Sequence, residues 1–346
     1  MTAIFVPGRV CLLGEHSDWA GMREGTHPGH CIVYGTDCGI HATVTVTSSA
    51  TIVVVNDGSK SVFEGPLDVS WLLEVARRGT FYSYICGTAA VMLQHYPPSR
   101  DNKGLHVHIT RADLPVQKGL SSSAAVCVLI VKAFCLVYGV HVTDAEMIHL
   151  AFEGEVQTPS KCGKMDQCVV FGKRCTVMDF DGPTSLQFHD VPIPTGFSFH
   201  FVVADLGSHK DTALILSELQ HAFDSPCGDE VGDAVKCFLG PVSARMVRRM
   251  EDAVKAGDPE LVGTLMCEYQ GAFSAALVPA CPTQLTAPRL NKILLDPRVR
   301  ELSLGGKGVG SQGDGSVQFV CRNSKQQLAL CTVLEELGCI PMAFRL

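Results

Sequence analysis

The clearest chemical signal in this chain of 346 residues runs from Pro115 to Ala125, Pro-Val-Gln-Lys-Gly-Leu-Ser-Ser-Ser-Ala-Ala. It follows an alternating stretch, Leu105 to Ile109, that stops at Leu114-Pro115, and it leads into an apolar run ending at Tyr138, so the order is strand, loop, helix. A helix N-terminus presents unpaired backbone N–H groups and a partial positive charge, and Gly119 lets the main chain approach an anion with no Cβ in the way. Hydroxyls at Ser121, Ser122 and Ser123 add donors for a phosphate or a lone pair for Mg²⁺. The same residues also fit a plain N-cap at Ser121 or Ser122, and the loop alone leaves both readings open.

Other polar groups gather in Gly14-Glu15-His16-Ser17-Asp18, between apolar segments. Carboxylates follow at Glu153 and Glu155, a pair that fits either a metal ligand or a solvated helix end, and at Asp166. Taken in order, these segments resemble the signature motifs of the galactokinase-like GHMP kinases. Pro7-Gly8-Arg9-Val10-Cys11-Leu12-Leu13-Gly14-Glu15-His16-Ser17-Asp18-Trp19 is similar to the family opening, Pro-Gly-Arg-Val-Asn-Leu-Ile-Gly-Glu-His-Thr-Asp-Tyr. The serine loop resembles the family's Pro-x-Gly-x-Gly-Leu-Ser-Ser-Ser-Ala, and Cys162-Gly163-Lys164-Met165-Asp166-Gln167 resembles Cys-Gly-Ile-Met-Asp-Gln. The run from Lys307 to Gly315 is more loosely similar to the glycine-rich third motif. Phe81 to Gly87 resembles a segment whose aromatic residue lies near adenine, although Phe81 equally fits an ordinary core position.

The resemblance implies an α+β GHMP-kinase fold, with an N-terminal domain like ribosomal protein S5 domain 2, a ferredoxin-like C-terminal domain and an active-site cleft between them. It implies ATP as co-substrate with Mg²⁺, and an ATP-dependent sugar 1-kinase producing a sugar 1-phosphate and ADP, with galactose or a related sugar as acceptor. A uronic acid or a pentose is the alternative acceptor, and a non-catalytic sugar sensor the alternative class. Residue by residue, Asp166 takes the place of the catalytic base with Arg9 beside it, and Glu15, His16, Asp18 and Asp166 face the sugar. Gly119, Leu120, Ser121, Ser122, Ser123, Ala124, Phe81, Gly308 and Gly310 serve ATP, and Ser123 and Glu155 hold the metal, with Glu153 as the substitute. Departures from the pattern are Gln117 for a glycine, Lys164 for an apolar residue, Trp19 for tyrosine and extra residues from Met22 to Gly29. The Lys164 ammonium either reaches the cleft, toward the ATP phosphates or a substrate carboxylate, or points to solvent with its stem packed over the turn.

The elements that must position these groups can be read from pattern. Strands are expected on either side of a Pro7-Gly8 turn, and at 43–47 and 51–55 as adjacent strands. Others are expected at 105–109, from Val177, at 197–204 and at 317–321. Helices are expected at 80–95, 212–223, 242–255, 260–276 and 324–337, and from Thr143 with Glu146 as a capping box. Val191-Pro192-Ile193-Pro194 is the best linker, giving domains 1–194 and 195–346. Nearly half the residues are hydrophobic and 18% are charged, a compact composition, and the net charge of −7 without a basic run argues against nucleic acid or an anionic membrane as partner. Sixteen scattered cysteines and no leader pattern suggest buried thiols in a cytoplasmic protein that meets no membrane, the most apolar window, 124–138, being too short to cross one.

Overall fold

The computed structural model describes residues 1–97, 103–114, 120–160 and 162–346. Its strands are β1 (Thr2–Leu13), β2 (Gly29–Thr47), β3 (Thr51–Asn56), β4 (Ser61–Pro66), β5 (Gly104–Ala112), β6 (Cys175–Asp181), β7 (Ser185–Asp190), β8 (His200–Asp205), β9 (Gly305–Gly308), β10 (Ser316–Cys321) and β11 (Ile340–Arg345). Two compact units form: one from the described residues of 1–9, 35–114 and 120–172, the other from those of 10–34 and 173–346.

In the first unit β3 pairs with β4 antiparallel and with β5 parallel, while β5 pairs antiparallel with residues 40–47 of β2. The segments 43–47 and 51–55 are therefore both strands but not neighbours. β5 lies between them because its apolar face of Leu105, Val107 and Ile109 is buried on contact with both. Helices Phe81–His95, Ser122–Tyr138 and Asp144–Val156 pack on one another. The capping box is present: Thr143 Oγ1 accepts the Glu146 N–H at 3.3 Å, and Glu146 Oε2 accepts the Thr143 N–H at 2.7 Å. Pro7-Gly8 makes no turn, for β1 runs straight through it. A Cβ on Gly8 would lie 2.4 Å from Leu114 Cδ2 and 2.9 Å from the Leu120 carbonyl oxygen. Glycine is needed there for close approach, which lets the next residue's N–H, that of Arg9, donate to Leu120 at 3.2 Å.

In the second unit residues 29–34 of β2 pair with β6, and β6 with β7. A separate sheet runs β11-β8-β10-β9 with every pair antiparallel. In chain order that is 4-1-3-2, with helix Pro259–Leu277 in the first crossover and Ser324–Glu336 in the second, the ferredoxin-like arrangement. Val202, Ala204, Val317, Phe319, Leu330 and Leu334 form its core. β11 was not visible in the pattern, because Pro341 interrupts it; proline is tolerated since β11 is an edge strand. The stretch Pro259–Ala280, 22 residues with mean hydropathy 1.2, is long and apolar enough to cross a membrane by composition. Here it buries Leu265, Met266, Tyr269 and Phe273 inside the unit.

Candidate active site

Asp166 opens a short 3₁₀ helix, Asp166–Phe171, in the first unit, and the Arg9 guanidinium donates to its Oδ1 in an ion pair. The arginine is 2% exposed, whereas the Asp166 side chain keeps about a quarter of its surface, 27%, open. The charge-assisted contact with a buried guanidinium fixes the direction of the Asp166 carboxylate while leaving it reachable.

Glu155 ends the same helix that Thr143 begins, and it is 1% exposed, so it is no solvated helix end. Its Oε1 accepts from Ser123 Oγ at 2.8 Å and its Oε2 from Gln167 Nε2 at 2.7 Å. Burial first, and then the negative charge of Asp166, push its carboxyl up to about 7 in spite of those hydrogen bonds. A cation at this place would reverse that cost. One carboxylate and one hydroxyl are the hard, sparse protein ligand set that Mg²⁺ takes when phosphate oxygens and water supply the rest. Among the described residues no three His, Cys, Asp or Glu side chains gather to cage an ion. Glu153 is half-buried and faces His95 and His149 at 3.0 and 3.3 Å.

Pro115 to Gly119, including Gln117, lie outside the described residues. Beyond them Leu120 is buried, and helix Ser122–Tyr138 begins with Ser121 in the left-handed region at φ 59. Ser121 makes no capping hydrogen bond with its side chain, and its buried hydroxyl has no partner. The plain N-cap reading therefore fails for Ser121. Such an orphaned hydroxyl at the start of a 17-residue helix suits an anion's oxygen, together with the free first-turn N–H groups around Ser122, Ser123 and Ala124.

The other motifs meet in the second unit. Gly14, at φ 105, ends β1 and donates its N–H to the Tyr269 hydroxyl at 3.2 Å; His16 takes φ 68 and starts the short helix Ser17–Gly21. His16 and Asp18 are each 4% exposed. Trp19 Nε1–H donates to His16 Nδ1 at 3.1 Å, which leaves the proton of the neutral ring on Nε2. That bond gives the N–H of the buried Trp19 ring a partner. Glu15 is fully buried and ion-paired with Lys307, from the start of the third motif. The Gly308 N–H is engaged by Gln270 Oε1 at 2.8 Å, and Gly310 turns at φ 62.

Two sequence readings need correction. Phe81 is 41% exposed as the first residue of its helix, so it is not a core aromatic. Lys164 does not point to solvent: it is 4% exposed, its Nζ lies 5.3 Å over the Phe152 ring, and burial pushes its ammonium down while Glu153 partly opposes this. Gln167, Tyr269, Gln270 and Lys307 acquire partners that the motifs did not announce. Gln167 could have been suspected from its place beside Asp166; Tyr269 and Gln270 carry no local signal.

Residues 83–173 match the family described as "GHMP kinases N terminal domain". The galactokinase of Pyrococcus furiosus is 27% identical over 280 residues, covering 75% of this chain and 74% of that one. That of Thermotoga maritima is 25% identical over 193 residues, 54% of this chain and about half, 48%, of its own length. Among solved structures, Lactococcus lactis galactokinase complexed with galactose superposes with a TM-score of 0.74 at 17% identity, covering 99% of this chain and 92% of that one. Methanococcus jannaschii mevalonate kinase gives 0.72 at 17% identity, with 100% and 98% covered. These last two likenesses concern the fold. Residues 83–173 are thus a GHMP kinase N-terminal domain, and the chain is a phosphotransferase with ATP as co-substrate and a hydroxyl group as acceptor. Within that class it is galactokinase-like.

Proposed function

We propose that this kinase moves the γ-phosphoryl group of ATP onto the C1 hydroxyl of a sugar, releasing ADP and a sugar 1-phosphate, with galactose the first acceptor to try. The observation that carries the reading is the Arg9–Asp166 ion pair, in which a buried guanidinium holds a carboxylate that is still partly open. As the acceptor oxygen bonds to phosphorus, Asp166 takes its proton, and the bond from phosphorus to the bridging oxygen of ADP breaks. Arg9 offsets negative charge on the transferring group. Ser121, Ser122, Ser123 and Ala124 form the phosphate cradle with Gly119 and Leu120, while Phe81, Gly308 and Gly310 are further proposed ATP contacts.

Ser123 and Glu155 would hold Mg²⁺, which when bound supplies charge neutralisation on the phosphates. The loop of Glu15, His16 and Asp18 would face the sugar with Asp166. The ring of Phe152 and the charge of Glu153 already answer the Lys164 ammonium, which favours a neutral sugar over a uronic acid. All sixteen cysteines are free thiols, which suits a proposed cytoplasmic location. Incubating purified protein with ATP, Mg²⁺ and a panel of hexoses, pentoses and uronic acids tests the reading. ADP release with a ³¹P signal of a sugar 1-phosphate is expected; ATP binding without turnover on any sugar would favour a sensor.

A further inference from the structure

We infer that Lys307 is a positioning residue for the acceptor loop and acts through its buried ion pair with Glu15; this rests on the function proposed above. Lys307 is fully buried, and its Nζ donates both to Glu15 and to the Gly308 carbonyl at 3.0 Å. The ammonium also lies 5.6 Å over the ring of Tyr269, whose hydroxyl accepts the Gly14 N–H. Burial, and after it the charge of Glu15, push the Tyr269 hydroxyl well up, so it stays a neutral partner. On the other side Gln270, the next residue of that helix, accepts the Gly308 N–H, and Gln312 Nε2 donates to the Gly308 carbonyl at 3.3 Å.

Residues 14 and 15 of the acceptor loop are thereby fastened to 307 and 308, about 290 residues on in the chain, by a buried charge pair and by the helix that carries Tyr269 and Gln270. The two residues that follow in the loop sit under backbone constraint: His16 holds a left-handed conformation with no glycine to relieve it, and Asp18 lies in a helix of only five residues. A short helix with a strained start does not hold itself; an anchor immediately before it does. A carboxylate with a fully buried side chain and a buried ammonium on it is well placed to fix the direction in which His16 and Asp18 leave the strand.

The test compares Lys307→Met, Glu15→Gln and the double variant Lys307→Met/Glu15→Gln with the wild type. Each single change leaves a buried partner stranded and is expected to lower Tm; the double change removes both charges and should recover most of that loss. In the double variant the acceptor KM should rise tenfold or more, with the ATP KM within about twofold of wild type. An acceptor KM within twofold of wild type in that variant would overturn the inference, as would an equal rise in both KM values. Amide hydrogen exchange of residues 14–21 supplies a readout that needs no turnover: at least tenfold faster exchange in the double variant supports the anchor even if no sugar is phosphorylated. Unchanged exchange there rejects the anchor whatever the acceptor proves to be.

Discussion

The charge of Asp166 raises the proton affinity of Glu155, a carboxyl already made reluctant to ionise by complete burial. The folded chain therefore binds a proton more tightly there than the unfolded chain, whose carboxyl keeps its ordinary value of 4.5. Between about pH 4.5 and about 7 the folded state holds more protons, so this residue's contribution to stability falls as pH rises through that window and is flat above it. The span corresponds to about 3–4 kcal/mol. Thermal melts without divalent cations should show Glu155→Gln gaining on the wild type from pH 5 to pH 8. A constant difference in Tm across that range would refute the assignment.

Asp166→Ala and Asp166→Asn should both lower kcat by roughly a hundredfold or more, because the proton acceptor is gone in each. The Asn variant keeps a hydrogen-bond acceptor for the buried Arg9, so its fold should suffer less. ATP affinity, read by calorimetry, should stay within about threefold. Either variant retaining more than a tenth of wild-type kcat would remove Asp166 from the role of base.

Ser123→Ala removes the hydroxyl that donates to the buried Glu155 carboxylate. The Mg²⁺ concentration giving half-maximal rate should rise several-fold, with kcat at saturating metal less affected. A Mg²⁺ titration that overlays the wild type would show that Ser123 is no ligand.

Lys164→Met should leave kcat/KM for a neutral sugar within about threefold, because the lysine's charge is directed at Phe152 and Glu153. If some uronic acid is accepted, its kcat/KM should change by a similar factor. A selective loss of tenfold or more on the uronic acid alone would mean that Lys164 reads the substrate carboxylate, about what a charge-assisted contact contributes.

Much of the fold is legible in the sequence. Helices with a cap and a period, such as Asp144–Val156 behind Thr143, were placed within a residue or two because their signals are local. β5 was likewise visible from its alternation. Among the strands that the sequence pattern misses, β4 and β7 are short and largely exposed, β9 is four residues of which three are glycine, and β11 contains a proline. In the candidate site, Asp166, Glu155 and Ser123 were found by motif, and the structure brings them and Arg9 together in one unit. The partners Tyr269, Gln270 and Lys307 are not assigned by the motifs, since nothing in a local stretch of sequence encodes contacts made across 38 residues, for Gln270, to 292, for Lys307. Lys164 was misread because long side chains that snorkel and those that are buried look alike in sequence.

The interleaving of the two units bears on the order in which the chain can fold. Residues 10–34 emerge early in synthesis, but their partners, from Tyr34 paired with Cys175 to Gly29 paired with Phe180, are made much later. The second unit therefore cannot close until the first is nearly all translated, and its strand residues must wait, unpaired and apolar, for that time. A fragment beginning at residue 195 would lack the strand that carries the acceptor loop, so separate expression of the two halves should give soluble, folded material only when both are present together.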